Sequence, residues 1–381
     1  MTSDSTRLMD RRMLDMASRL ASRARGDVEP NPLVGCVIGR RRSGSVDVIG
    51  CGHHGVFGGD HAEVEAIADC RRRGHDPAGA TVWVTLEPCA HEGKTPPCAT
   101  ALIEAQVGEV VIARLDPNSE ASGGAEALRR AGVEVRVTDA STNAIRLSDP
   151  FAHRVATNRP WVIAKWAQTI DGCIATRSGA SKWISNDRSR LDVHRLRSRV
   201  DAILTGVGTA VADDPSLTAR GVRRVRRVAR RIVIDPRMET PLDSKLVRSA
   251  RDTPLEIWST TDERRAAYEQ AGATVVCGPT DDGRLDLRAC LERLAASHDA
   301  TMVLVEAGPA LMGSLLEADL VDEARVYVAP MLLADHEALP PVRGRVADTL
   351  ADASRFTLAD LRRFGDDVRL RYVRRRDSHS G

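Results

Sequence analysis

Thr81-Val82-Trp83-Val84-Thr85-Leu86-Glu87-Pro88-Cys89-Ala90-His91-Glu92-Gly93-Lys94-Thr95-Pro96-Pro97-Cys98 runs from an apolar, β-branched strand through a polar turn into a helix opened by two prolines. The pattern repeats on both sides of it. Upstream lie a helix at the chain start, a short strand over residues 33–38, another over 46–50, and a helix over 62–73 closed by Gly74. Downstream follow a strand over 110–113, a helix over 125–131 and a strand over 133–137. Alternation of this kind predicts an α/β domain, an α/β/α layered arrangement around a largely parallel sheet.

The turn also carries chemistry. Cys89 and Cys98 are two soft ligands, and His61 of Asp60-His61-Ala62-Glu63 is a third. One histidine and two cysteines can hold Zn2+ with its fourth position open, as a catalytic site requires. Zinc so held lowers the pKa of a water from about 16 to roughly 7. Glu63, two residues after the histidine, is placed to take a proton from that water and give it to a departing amine. In mid-helix, residues two apart point away from each other; only a first turn lets His61 and Glu63 converge. Two plainer readings stand beside this one. Asp60 and Glu63 fit an N-cap with its capping box, and a structural zinc could recruit His54 or His91 as a fourth ligand. Set together, the three motifs favour catalysis. They resemble the zinc nucleobase and nucleotide deaminases, whose signature is H-x-E followed by P-C-x-x-C. Here eight residues rather than two separate the cysteines.

The bulk properties set limits. With 381 residues the chain is long for one core and predicts two domains. A hydrophobic fraction of 42% and a formal net charge of +2 argue against a general nucleic-acid coat. The absence of a long apolar run argues against a membrane span, and the amphipathic N-terminus lacks a secretory h-region. Eight cysteines scattered without an export signal read as reduced thiols, two of them metal ligands. A cytoplasmic enzyme is expected, a homo-oligomer acting on a small molecule, with no membrane or nucleic-acid partner.

Residues 139–160 read as polar and irregular. The domain boundary falls there, giving domains of 1–150 and 151–381. The second domain has its own alternation, with strands over 161–165, 202–205, 231–235, 301–306 and 325–329, and a disordered tail over 374–381. No G-x-G-x-x-G follows a strand, so a Rossmann site is not indicated. Gly206-Val207-Gly208 is a tight strand-to-helix turn. The stretch from Glu306 and Ala307 through Gly308 follows an apolar strand and opens a helix, a junction suited to a pyrophosphate. The run Arg220-Gly221-Val222-Arg223-Arg224-Val225-Arg226-Arg227 reads as a solvated loop, since aromatics for stacking on single strands are scarce.

Asn31-Pro32-Leu33-Val34-Gly35, Gly50-x-Gly52-x-His54, His61-Ala62-Glu63 and the stretch from Glu87 to Cys98 together resemble the bifunctional riboflavin-biosynthesis deaminase/reductase. So do Lys165-x-Ala167-x-Thr169-x-Asp171-Gly172, Ser178-Gly179-x-Ser181-x-Trp183-Ile184, the segment from Gly208 to Arg220, and Val305-Glu306-Ala307-Gly308. The resemblance implies a cytidine-deaminase-like first domain that removes the 2-amino group of a diaminopyrimidinone ribosylamino phosphate. His61, Cys89 and Cys98 would be the zinc ligands and Glu63 the catalytic proton carrier. Asn31, His54 and Lys94 would contact substrate. The second domain would be dihydrofolate-reductase-like and use NADPH to turn ribosyl into ribityl. Lys165, Ala167, Trp183, Thr209, Asp213, Gly308, Pro309, Ala310, Leu311, Met312, Gly313 and Ser314 would line the cofactor. Ser181, Arg197, Leu217, Arg220 and Glu306 would face the substrate. Ala90 and Gln106 depart from the family pattern in the first domain. Thr169, Pro236 and the glycine-free Met331-Leu332-Leu333-Ala334-Asp335 depart in the second, where Pro236 replaces a small polar residue expected to meet the cofactor.

Overall fold

Strands β1 (Gly35–Arg42), β2 (Ser45–His53), β3 (Thr81–Val84), β4 (Glu109–Ile112) and β5 (Glu134–Val137) form one sheet in the order β2-β1-β3-β4-β5. The computed structural model describes residues 3–91, 96–281, 284–344, 347 and 349–375. It separates into two units, Met1–Asn158 and Arg159–Gly381. In the first, β1 pairs antiparallel with both β2 and β3, while β3, β4 and β5 run parallel, so the sheet is mixed.

Alternation along the strands divides the core in two. Val37, Trp83 and Val111 lie abreast and pack with Leu14 and Ala17 of α1 (Ser3–Ala21). The intervening residues Cys36, Ile38, Val82, Val84, Val110 and Ile112 face the other way. They pack with α2 (Ala62–Arg72), α3 (Cys98–Glu104) and α4 (Gly124–Arg130). Two glycines set how closely α2 approaches the sheet. A Cβ on Gly50 would come within 2.6 Å of the Ala66 carbonyl oxygen, and one on Gly52 within 2.4 Å of the Ala62 carbonyl oxygen. Side chains there would push the helix, and the start of α2 with it, off the strand.

Residues 139–160 are not irregular. They form α5 (Thr142–Leu147) and α6 (Asp149–Thr157). The Ser141 side chain caps α5 by accepting from the Ala144 amide at 3.1 Å, and Pro150 sits in the first turn of α6. Helices of six and nine residues bury too few side chains, here Ala144, Leu147, Ala152 and His153, to write a clear period into the sequence. Both belong to the first unit, and the division falls after Asn158.

The second unit carries a nine-stranded sheet in the order β10-β9-β8-β7-β13-β6-β14-β16-β15. Its strands are β6 (Trp161–Gln168), β7 (Ala202–Gly206), β8 (Arg230–Ile234), β9 (Leu255–Ser259), β10 (Thr274–Cys277), β13 (Met302–Val305), β14 (Glu323–Val328), β15 (Phe356–Phe364) and β16 (Asp367–Arg374). A two-residue pair, β11 (Thr280–Asp281) with β12 (Arg284–Leu285), stands apart. Pairing is parallel from β10 to β14; only β14–β16 and β16–β15 are antiparallel. One face of the sheet, with Ile163, Leu304 and Ile203 in register, packs with α7 (Asp187–Arg197), α9 (Lys245–Arg248) and α10 (Arg265–Gln270). The other, with Val162, Val303 and Ala202, packs with α11 (Leu287–His298) and α12 (Pro309–Glu317). The short α8 (Val207–Asp213) follows β7 directly. Arg374 ends β16, and residues 376–381 of the tail lie outside the described residues. Among the described residues no helix is long and apolar enough to cross a membrane.

Candidate active sites

His61 is the N-cap of α2, in extended backbone conformation (φ −75°, ψ 162°), and its side chain makes no capping bond. The helix therefore begins one residue later than a capping box on Asp60 would require. His61 thus faces out of the helix start while Glu63 lies in the first turn, which is the geometry that lets the two converge. Cys89 follows β3, and Cys98 is the first residue of α3. His61 Nδ1 lies 3.2 Å from Cys98 Sγ and 3.6 Å from Cys89 Sγ, and the three donor atoms all fall within 4.8 Å of one another. Among the described residues the donor group consists of these three. One imidazole and two sulfurs are a set that suits zinc and leaves it a free position. The Cys98 amide also donates to Cys89 Sγ at 3.4 Å.

The first site buries a carboxyl beside the three donors. Glu63 is 3% exposed, and burial pushes its carboxyl up to about 7, with Cys89 adding to the rise. Hydrogen bonding with Cys98 and with His61 holds Cys89 down at about 4 against the effect of burial. The same bond and burial push Cys98 up.

Asn31 and His54 stand together beside the histidine ligand. Asn31 Nδ2 is 3.3 Å from His54 Nε2, and His54 Nδ1 is 3.0 Å from the Asp60 carbonyl oxygen. The consistent assignment has Nδ1–H donating to Asp60 and Nε2 accepting from Asn31. Burial lowers the His54 pKa, in keeping with a neutral ring. Its ring meets that of His61 edge-on, centroids 5.3 Å apart. His54 is thus engaged outside the donor group, and His91 is exposed. Lys94 lies outside the described residues. Glu87, which opens the quoted motif, has a supporting role that was not read from sequence: buried, it accepts from the amides of Asp116, Gly123 and Ala125. With Gly124, whose Cβ would fall 1.8 Å from the Pro88 carbonyl oxygen, it fixes the chain just before Cys89.

The second unit holds a cavity of about 970 Å³ at the carboxyl ends of β6, β7, β8 and β13, where open α/β sheets bind ligands. It gathers residues scattered over 175 positions of sequence, from Lys165 to Leu339. Lys165, Ala167, Trp183, Thr209 and Asp213 line it, with Gly308, Pro309, Ala310, Leu311 and Ser314. Ser181, Arg197, Leu217, Arg220 and Glu306 do so too. Met312 and Gly313 do not. Met312 is 1% exposed in the core beneath α12, and a Cβ on Gly313 would fall 1.7 Å from the Arg343 carbonyl oxygen. A helix can turn only one side to a cavity, so a continuous run of seven residues could not line it. The spacing of 190, 193, 194 and 197 shows the same rule on α7, where Arg190, Val193, His194 and Arg197 form one cavity-facing stripe. Reading α7 by its period would have added Arg190 and His194 to the candidates.

An ion group dominates the interior. Arg197 grips Glu306 with two bonds, Nε to Oε1 at 2.6 Å and Nη2 to Oε2 at 2.9 Å. Lys165 Nζ approaches the second oxygen at 3.7 Å. Burial pushes the Glu306 carboxyl up, but Arg197 and Lys165 outweigh it and hold it at about 2. Burial, and to a lesser degree Arg197, lower the Lys165 pKa against the pull of Glu306. Gly206 and Gly308, the N-caps of α8 and α12, carry no side-chain cap. Nothing lies within 4 Å of a Cβ built on Gly208. Free amides with open approach fit the phosphates of a nicotinamide cofactor.

The departures from the family pattern are accommodated. Pro236 is off the cavity wall; Ile234 lines it instead, and the Pro236 carbonyl accepts from the Ser259 and Thr260 hydroxyls. Thr169 is fully buried and its hydroxyl binds Asp171 at 2.5 Å. Asp171 in turn accepts from the amides of Leu333 and Ala334, which fastens the glycine-free loop. In the basic run, the amides of Arg226 and Arg227 donate to the Ser198 carbonyl, which ties that loop to the end of α7.

Comparison with known proteins agrees with this geometry in both units. A model of the cytidine and deoxycytidylate deaminase zinc-binding region matches residues 8–114, and a model of the RibD C-terminal domain matches 160–370. The riboflavin biosynthesis protein RibD of Escherichia coli is 37% identical over 380 residues, covering 96% of this chain and all of its own. That of Actinobacillus pleuropneumoniae is 37% identical over 94% of this chain and 93% of its own. A solved structure of Acinetobacter baumannii RibD aligns with TM-score 0.79 at 34% identity, covering 96% of this chain and 99% of that one. A Thermotoga maritima diaminohydroxyphosphoribosylaminopyrimidine deaminase/5-amino-6-(5-phosphoribosylamino)uracil reductase aligns with TM-score 0.82 at 29% identity, over 97% and 99%. Fold and sites define a two-unit enzyme, a zinc-binding deaminase followed by a reductase that works with a nicotinamide cofactor. The chain belongs to the RibD family, the bifunctional deaminase/reductases of riboflavin biosynthesis.

Proposed function

We propose that the protein hydrolytically deaminates 2,5-diamino-6-ribosylamino-4(3H)-pyrimidinone 5′-phosphate and then reduces the ribosyl group to ribityl with NADPH. The observation that carries the reading is the convergence of His61, Cys89 and Cys98 beside a buried Glu63. His61, Cys89 and Cys98 would hold zinc, which when bound makes water a competent nucleophile at neutral pH. Glu63 takes the proton of the attacking water and passes it to the leaving amine, and its upward shift suits both halves of that task. Asn31 and His54 orient the pyrimidine, and Lys94 meets the phosphate.

In the second site a nicotinamide cofactor, when bound, would supply a hydride for the ribosyl C1′. Thr209 and the amides of Gly308 and Ala310 hold the cofactor phosphates, with Ala167, Trp183, Asp213, Pro309, Leu311 and Ser314 around the rest. Ser181, Leu217 and Arg220 bind the substrate, and Arg220 suits its phosphate. Arg197 and Lys165 keep Glu306 ionised and oriented toward the ribosyl group. The same reading places a homo-oligomeric enzyme in the cytoplasm.

The test is a product mass spectrum after incubating zinc-loaded protein with that substrate and NADPH. Exchange of an amine for oxygen plus two added hydrogens is expected. Exchange alone removes the reductase assignment, and unchanged substrate removes both.

A further inference from the structure

Lys165 is supported on only one side by the ion group. Each Glu306 oxygen accepts from the Arg197 fork, and the lysine only approaches one of them, at 3.7 Å. Its Nζ also lies over the ring of Tyr327, 5.9 Å from the centroid. Register puts the two together. Lys165 pairs with Arg325 and Ala167 with Tyr327 on parallel β6 and β14. Residues two apart share a face of the sheet, so Tyr327 is the diagonal neighbour of Lys165.

The ring is fixed from behind. Tyr327 is fully buried, and its hydroxyl donates to Asp192 Oδ2 of α7 at 2.7 Å. Burial, reinforced by Asp192, pushes the phenol far above its ordinary range, so it stays a donor. Asp192 Oδ2 also accepts from Arg369 Nη1 at 2.7 Å, and Arg369 Nη2 reaches Asp360 at 2.5 Å. Arg369 and Asp360 belong to β16 and β15, the last hairpin of the chain. An aromatic face directed at an ammonium attracts it, most strongly where water is scarce.

We propose that Tyr327, held by Asp192 and Arg369, is a positioning residue whose ring face keeps the Lys165 ammonium directed at Glu306 and the cavity. The C-terminal hairpin would thereby act on the reductase site through one aromatic ring. The inference rests on the reading of that cavity as the reductase site and of Lys165 as a working part of it.

The test uses the full-length, zinc-loaded protein with the deaminated nucleotide and NADPH, following cofactor oxidation. Tyr327→Leu is expected to lower kcat about tenfold, with the KM for NADPH within about twofold of wild type. Tyr327→Phe keeps the ring and should recover most of the rate. In a Lys165→Met background Tyr327→Leu should add little further loss, since the two act as a unit. Should Tyr327→Leu fail to fold, Asp192→Asn keeps every ring and is expected to lower kcat about threefold by the same route. The inference is overturned if the Phe variant is as slow as the Leu variant, if the losses are additive with Lys165→Met, or if the foldable variants leave kcat unchanged. A wild-type protein that oxidises no NADPH instead defeats the reading of the cavity. A Lys165→Met variant as fast as wild type removes Lys165 from the working site and overturns the inference with it, while the reading of the cavity stands.

Discussion

The two sites solve the same problem, bringing distant residues to one point, in opposite ways. The zinc site uses three donors, and the ends of three elements deliver them to within 4.8 Å of one another. Each donor is indispensable, because a metal missing one of three ligands is barely held. The reductase cavity spreads its task over a wall of about 970 Å³ drawn from β6, α7, α8 and α12. Most wall residues there contribute shape and one contact each, so loss of any one is graded. Concentrated chemistry leaves short words in a sequence; distributed chemistry leaves a pattern only in three dimensions.

That contrast can be broken most sharply at the metal ligands. Cys98→Ser should remove zinc, measured by elemental analysis, and abolish deamination, while reduction of separately supplied deaminated nucleotide continues. Simultaneous loss of reduction would contradict the independence of the two sites. Next, Glu63→Gln should slow deamination by roughly 10²–10⁴-fold with zinc content unchanged. Deamination that survives the change would remove Glu63 from its role.

In the second unit the largest single effect should come from Glu306. Its folded carboxyl titrates near 2, below its ordinary 4.5. A depressed carboxylate stabilises the fold above its unfolded pKa and loses that contribution as pH falls toward the folded value. Wild type should therefore be more stable than Glu306→Gln at neutral pH by a few kcal/mol, on the order set by 1.4 kcal/mol per pKa unit. The gap should close between about pH 4.5 and pH 2. Denaturant melts at a series of pH values measure it, and a pH-independent gap would contradict the ion-pair account.

Smaller effects separate the two sides of α12. Gly313→Ala forces a Cβ into the Arg343 carbonyl and should lower stability, by about 1–3 kcal/mol, in a thermal melt. Ser314→Ala, on the cavity side, should leave the melt alone and raise the KM for the cofactor a few-fold. The smallest effect belongs to Pro236→Ser, since that position is off the wall: rates should stay within about twofold. A large gain in cofactor affinity would return Pro236 to the site.

The first site was legible because its signals are local. His61 and Glu63 are two residues apart, and Cys89 and Cys98 flank one turn. What could not be read there was the role of Glu87, whose three backbone partners lie 29 to 38 residues downstream. The strands of the first unit and β6, β7, β8, β13 and β14 of the second were legible, since buried strands are short apolar runs; β9, β10 and the antiparallel pair β15 and β16 were not read. The helices α5 and α6 were not, because short amphipathic pieces with buried His153 and capped by Ser141 look polar. In the second site the motifs pointed to the right segments, but a motif is contiguous and a helix face is not. Met312 and Gly313 were therefore included, and Arg190 and His194 omitted.

The donor group of the first site ends at Cys98, and the wall of the second begins at Lys165, with the division between units falling after Asn158. A boundary that cuts through neither constellation makes each half an inheritable piece. A lineage could separate the halves into two genes, or graft either onto another partner, without rebuilding a single contact within a site. Selection on the residues of one site can then proceed without replacing any residue of the other.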